Sequence, residues 1–118
     1  MNDTIVNSNL HGVIAIINER NDQIHKHGRT IESDILHNPS GQLIDAARAL
    51  LKPTPVLHDF PDTWGIAACR KLINKSYQER KVIAAALIAA DYDRVEVVEK
   101  RKKESYPLTP KEAHKLAK

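Results

Sequence analysis

Val82-Ile83-Ala84-Ala85-Ala86-Leu87-Ile88-Ala89-Ala90, preceded by Ser76-Tyr77-Gln78-Glu79 and followed by Lys100-Arg101-Lys102-Lys103, decides how this chain folds. The upstream tetrad fits a capping box, in which the serine oxygen accepts the amide three residues on and the glutamate reaches back. The spacing therefore predicts one long helix from Ser76 to about Lys103. Its first half is apolar all round and must be buried by neighbours on several sides, while its second half projects into water. The alanines let other helices approach closely, and the basic end complements the negative end of the helix dipole.

Working outward, the chain has 118 residues, 42% hydrophobic and 28% charged, enough for one domain and no second core. Only Phe60, Trp64, Tyr77, Tyr92 and Tyr106 are aromatic, so the core must be built from Ala, Leu, Ile and Val. That favours an all-α fold, a small helical bundle of about four helices, over a sandwich or barrel. We expect one helical domain over 1–104 and a short basic helix or tail over 105–118, opened by Thr109-Pro110-Lys111-Glu112.

Upstream, Leu10, Val13, Ile14, Ile17 and Ile24 draw one apolar stripe on a helix from about Asn9 to His27, with Ser8 as N-cap and Gly28 as its stop. Arg29 to Pro39 carries turn residues among Ile31, Ile35 and Leu36 and reads as an ordered loop. Leu43, Ala46, Ala47 and Leu50 mark a short helix over 41–51, ended by Pro53. Pro53, Pro55 and Pro61 make 52–62 an extended connector, and Trp64 to Ile73 reads as a brief helix capped by Asp62 or Thr63.

Several function classes are excluded or weakened by the same residues. The single Cys69 cannot form an internal disulfide, a CxxC pair or a zinc ribbon and reads as a packed thiol. Four scattered glycines leave no phosphate loop, and no His-Glu-x-x-His spacing exists among the six histidines. No apolar run is long enough to span a bilayer, and Met1 to Ser8 lacks a signal-type core, so no membrane association and a cytoplasmic location are expected. His58-Asp59 resembles the dyad of the HD phosphohydrolases, but the prolines bracketing it put it in a connector rather than on packed helices.

The net charge of +3 is uneven: residues 1–93 carry ten Lys/Arg against eleven Asp/Glu, and 94–118 carry eight against four. The basic tail makes nucleic acid a candidate partner, with a solubilising helix end as the plainer reading. The alanine-rich helix makes a homo-oligomer or a protein partner a second expectation.

Asp91 falls on the helix face of Ala84, Leu87, Val95 and Val98, where an ionised carboxylate needs a cation, a metal or several donors. An arginine such as Arg48 would satisfy it. Glu19, Asp22 and Gln23 share one flank of the first helix, opposite its apolar stripe. Such a flank is ordinarily solvated, and gains meaning only if another element lies over it. Asp34, with His37 beside it, would add an oxygen. Carboxylates converging from two or three helices suit a hard cation, magnesium (Mg2+) or manganese (Mn2+), that bridges to nucleotide phosphates.

Glu19-Arg20 with Gln23, then Gly28 and Thr30, Asp34, His37, Gly41, Leu43 and Ala46-Ala47, then Trp64, Arg80, the alanine run and Asp91-Tyr92-Asp93-Arg94, together form a pattern over residues 13–94. It resembles a family of small phage and prophage proteins, and its layout is similar to the MazG-type all-α nucleotide pyrophosphohydrolases. The resemblance implies metal ligands at Glu19, Asp22, Asp34 and Asp91 and substrate contacts at Gln23, His37 and Arg94. It implies a metal-dependent nucleoside triphosphate pyrophosphohydrolase. The MazG pattern has Glu-Glu-x-x-Glu and Glu-x-x-Asp where this chain has Glu19-x-x-Asp22 and Asp91-x-Asp93. A non-catalytic helical interaction module is the competing expectation.

Overall fold

The computed structural model describes the backbone of residues 3–105 and side chains within it from residue 9 to 104. The described residues form five α-helices and one 3-10 turn: α1 (Asp3–His25), α2 (Ile31–His37), α3 (Gln42–Leu50), the turn Leu57–Asp59, α4 (Ile66–Ile73) and α5 (Tyr77–Ser105). The all-α expectation holds, with the long alanine-rich helix as the spine. The basic segment after residue 105, including the helix expected at Thr109-Pro110, lies outside the described residues.

Helix α5 starts where the capping box places it. The Ser76 Oγ accepts the Glu79 amide at 3.1 Å and its hydroxyl donates to the Glu79 carboxylate, also at 3.1 Å. Its inner face carries Ile83, Ala84, Leu87 and Ala90, which pack with Leu43, Ala46, Ala47, Ala49 and Leu50 of α3 to form the core, and Ala86 is buried as well. Phe60, Cys69, Leu57, Trp64, Leu72 and Ile73 close one end of it. Cys69 is the packed thiol expected, and burial pushes its pKa up. Small side chains on both partners bring α3 and α5 together closely, which is the packing the alanine run anticipates.

Arg80 on α5 finishes α3. Its buried guanidinium donates to the carbonyls of Leu50 at 2.9 Å and Lys52 at 2.7 Å, orphan acceptors at a helix end. It also reaches Lys75 O at 3.3 Å and Pro53 O at 3.4 Å. The charged donor therefore ties the start of α5 to the proline connector.

Four expectations need correction. Residues 29–39 are not a loop: Thr30 accepts the Ser33 amide at 3.1 Å and caps α2, and Asp34 is fully buried in it. Turn-forming residues are also capping residues, and the apolar Ile31 and Ile35 gave the segment something to bury. Helical backbone extends upstream of Ser8, but a kink at Leu10, at φ −130° and ψ 27°, divides it from the main helix close to the expected start at Asn9. Finally, Leu10, Val13 and Ile17 are 42, 49 and 54% exposed, whereas Gln23 on the polar flank is 3% exposed. Helix α1 contacts α5, and most of its apolar stripe faces outward, with Ile14 and Ile24 half-buried. Helix α4 begins at Ile66 behind Gly65, which makes no side-chain cap bond, rather than behind Asp62 or Thr63.

Gly28 ends α1 with φ +66°, the left-handed region expected of a helix stop. A Cβ there would meet no atom within 4 Å, so only backbone strain opposes a side chain. Gly28→Ala is expected to destabilise the fold by about 1 kcal/mol, left-handed strain partly offset by lower unfolded-state entropy. Gly28→Asn is expected to lose about half as much, because Asn tolerates this region. Urea midpoints of the two variants check the order.

Candidate functional site

The flank of α1 that looked solvated is the inner wall of a polar cluster. Gln23 donates through Nε2 to the Glu19 carboxylate at 3.2 Å, and its backbone carbonyl accepts the Arg29 amide at 2.8 Å. Arg20 Nη1 donates to the Arg29 carbonyl at 3.0 Å. The chain thus turns at Gly28 and folds Arg29 back over the end of α1. From the opposite side α2 delivers Asp34, whose Oδ1 accepts Asn38 Nδ2 at 3.0 Å. Asn38 in turn accepts the Trp64 indole N–H at 2.9 Å, and the Arg29 guanidinium lies 4.4 Å from the Trp64 ring centroid.

Four buried polar atoms here have no hydrogen-bond partner: Nε and Nη2 of Arg20, Oε1 of Gln23 and Oδ2 of Asp34. Buried polar groups are almost always paired, so these four stand out as the open donors and acceptors of the cluster. Burial pushes the Asp34 carboxyl above its ordinary range, opposed by the Asn38 hydrogen bond and by the charges of Arg20, Arg29 and Arg94. Burial likewise lowers the Arg29 pKa, with Asp34 acting against it. Outside the cluster a recess of about 270 Å3 opens between Arg29, Ser33, His37, Asn38, Thr63 and Trp64.

The expected metal ligands are placed unequally. Asp34 is at the heart of the cluster and Glu19 is tied to it through Gln23. Asp22 sits at the margin, 3.6 Å from Lys26. Asp91 is satisfied by an arginine as expected, but by Arg94 at 2.9 Å rather than Arg48. Arg94 is engaged structurally as well, donating to Pro39 O at 2.9 Å and Ser40 O at 3.1 Å between α2 and α3. Among the described residues, no three of His, Cys, Asp or Glu stand close enough together to hold a metal ion. Of the expected substrate contacts, Gln23 lies in the cluster, while the exposed His37 lines the recess.

No protein-family model, curated protein or solved structure matches the chain. Its reading therefore rests on this geometry. Residue spacing missed Arg20, Arg29, Asn38 and Trp64 as site members. A lone tryptophan in a proline-rich connector was the available signal, since an indole N–H brought indoors needs an acceptor. Arg29 and Asn38 looked like loop residues for as long as α2 was read as a loop.

The His58-Asp59 dyad carries a different role. The Asp59 carboxylate accepts Lys52 Nζ at 2.6 Å and the Val56 amide at 2.9 Å, and these bonds hold its pKa below the usual range. It pins the 3-10 turn of the connector. No described helix is long and apolar enough to cross a membrane.

Proposed function

We propose that this chain binds a nucleoside triphosphate, with its magnesium or manganese ion, at the Arg20–Gln23–Asp34 cluster and the Arg29–Trp64 recess above it. The observation that carries the reading is the set of four unpartnered buried atoms, two donors and two acceptors. Arginine donors suit phosphate oxygens. The acceptors, a carboxylate and an amide oxygen, suit the hard cation that accompanies those phosphates. Magnesium is commonly held by one or two protein oxygens, with phosphate and water supplying the rest, so a full protein cage is not required. Glu19, hydrogen-bonded to Gln23, is the nearest further carboxylate on α1. The Trp64 ring and the Arg29 plane offer a stacking surface for a base.

The activity proposed for this site is hydrolysis between the α and β phosphates, releasing pyrophosphate, in the cytoplasm. Bound cation would neutralise phosphate charge, while Arg20 and Arg29 orient the chain of phosphates. A thermal-shift titration with magnesium or manganese and a panel of nucleoside triphosphates tests the binding step. A ligand that binds only the folded state raises the melting temperature. The expected result is a metal-dependent rise that is lost in Arg29→Ala, accompanied by pyrophosphate release in the wild type. Binding without pyrophosphate release would leave a nucleotide-binding module. No shift with any pair would overturn the nucleotide reading.

A second reading, a helical interaction module, is favoured by the exposed apolar residues Leu10, Val13 and Ile17 on α1 and Ile88, Tyr92 and Val95 on α5. The two readings use different surfaces and are compatible.

A further inference from the structure

The outer face of α5 is unusually apolar for a surface that nothing covers. Tyr77, Ile88, Tyr92 and Val95 are 47, 47, 66 and 41% exposed, and helical spacing puts them on one stripe with the exposed Lys81 and Glu99. The opposite side of the helix carries Ile83, Ala86 and Ala90, and the flank beside the stripe carries Ala84, Leu87 and Arg94; all of these are buried. The described structure measures 62 × 44 × 23 Å with a radius of gyration of 18.7 Å, against roughly 13 Å for a compact domain of 100 residues. Its thin dimension of 23 Å holds two layers of helices, each about 10–12 Å across. The other helices cover α5 over most of its circumference and leave the arc of Tyr77, Ile88, Tyr92 and Val95 open.

We infer that a second copy of this chain docks on this face, pairing the two α5 helices antiparallel with Ile88 against the partner's Tyr92 and Lys81 against the partner's Glu99. The stripe is self-complementary when reversed. Lys81 and Glu99 lie at equal distances from Ala90, as Ile88 and Tyr92 do, so one two-fold axis beside Ala90 satisfies both pairs in both directions. In this register Val95 meets the small Ala85 of the other copy. The exposed parts of the four apolar side chains amount to roughly 450 Å2, over half of the ~800 Å2 per partner typical of a stable interface. The stems of Lys81, Glu96 and Glu99 flank them and extend the contact. At present Lys81 rests 5.3 Å from the Tyr77 ring centroid, and Glu99 lies 3.8 Å from Lys102; both are exposed contacts of the kind that exchange at little expense. A partner of different sequence would not need this match between the two halves of one stripe.

Sedimentation velocity on the full chain over a micromolar concentration series tests the pairing. The expected result is a concentration-dependent dimer. Ile88→Asp with Tyr92→Asp is expected to weaken it more than about a hundredfold. Circular dichroism melts of that variant report whether the monomer stays folded. Lys81→Glu is expected to weaken the dimer about tenfold through two symmetric like-charge contacts, and adding Glu99→Lys to restore it. The fully swapped variant keeps the face intact and guards against a merely misfolded mutant. A wild type that stays monomeric throughout, a dimer indifferent to Ile88 and Tyr92, or a charge swap that fails to restore pairing would each overturn the inference.

Discussion

Arg80→Met is expected to lower the stability of the fold by about 3 kcal/mol, the largest single-residue effect outside the apolar core. The methionine keeps the length of the buried stem but removes every donor. Leu50 O and Lys52 O then lose a charged partner at 2.9 and 2.7 Å, and the Lys75 and Pro53 carbonyls lose weaker ones. A carbonyl stranded in a buried helix end pays its full desolvation penalty, which is why truncating the donor is worse than never having made the bond. For a domain with roughly 5–15 kcal/mol in hand this is a large fraction. The check is the guanidinium midpoint at unchanged slope. Arg48→Met, on the exposed side of α3, serves as the comparison and is expected to change stability by less than about 0.5 kcal/mol. If the two variants behaved alike, Arg80 would not be the cap of α3.

Asp34→Asn is expected to have opposite effects on stability and on binding. The carboxyl is fully buried, and loss of water raises its pKa despite Asn38 and the three arginines around it. A folded state with a raised carboxyl pKa holds its proton more tightly than the unfolded chain does. Its contribution is therefore complete below the unfolded value, near about 3.9, and is lost as pH rises through the folded one. At neutral pH the ionised group weighs against folding. The asparagine variant, which can still accept the Asn38 hydrogen bond, should melt higher than wild type at pH 7. The two should converge in acid below the ordinary carboxylate range. The same variant should lose metal-dependent nucleotide affinity by about a hundredfold, since a neutral amide oxygen is a poor substitute for a carboxylate at a divalent cation. Melting curves across pH, set beside the affinity, separate the two effects. A variant less stable than wild type at pH 7 would show that Asp34 acts as a structural ion-pair partner of the arginines.

The fold was legible in the sequence where one signal was strong and local. Ser76 and Glu79 fixed the start of α5, Pro53 the end of α3, and Gly28 the end of α1. What spacing could not supply was direction. The stripe of Leu10, Val13 and Ile17 is a sound amphipathic pattern, yet α1 turns it outward and buries Gln23, because a face is assigned only when a neighbour covers it. The loop reading of 29–39 failed for a related reason, since Thr30 and Asp34 serve a helix cap as well as a turn. Of the candidate site, Glu19, Gln23 and Asp34 were found as a carboxylate-rich group. Of their partners, Arg20 and Asn38 are helical neighbours of Glu19 and Asp34, whereas Trp64 comes from a separate segment and meets Asn38 and Arg29 only through the tertiary fold. Asp91 looked like a ligand because it sits on a half-apolar face. Arg94, one turn further along α5, supplies the counter-charge it needs.

An isothermal titration of the full chain with adenosine triphosphate, in the presence of magnesium and again in excess chelator, decides whether the cluster holds a nucleotide. The expected result is saturable binding that requires the metal and is weakened about a hundredfold in Asp34→Asn while that variant remains folded. No binding heat with any nucleoside triphosphate, or equal affinity in wild type and Asp34→Asn, would contradict it.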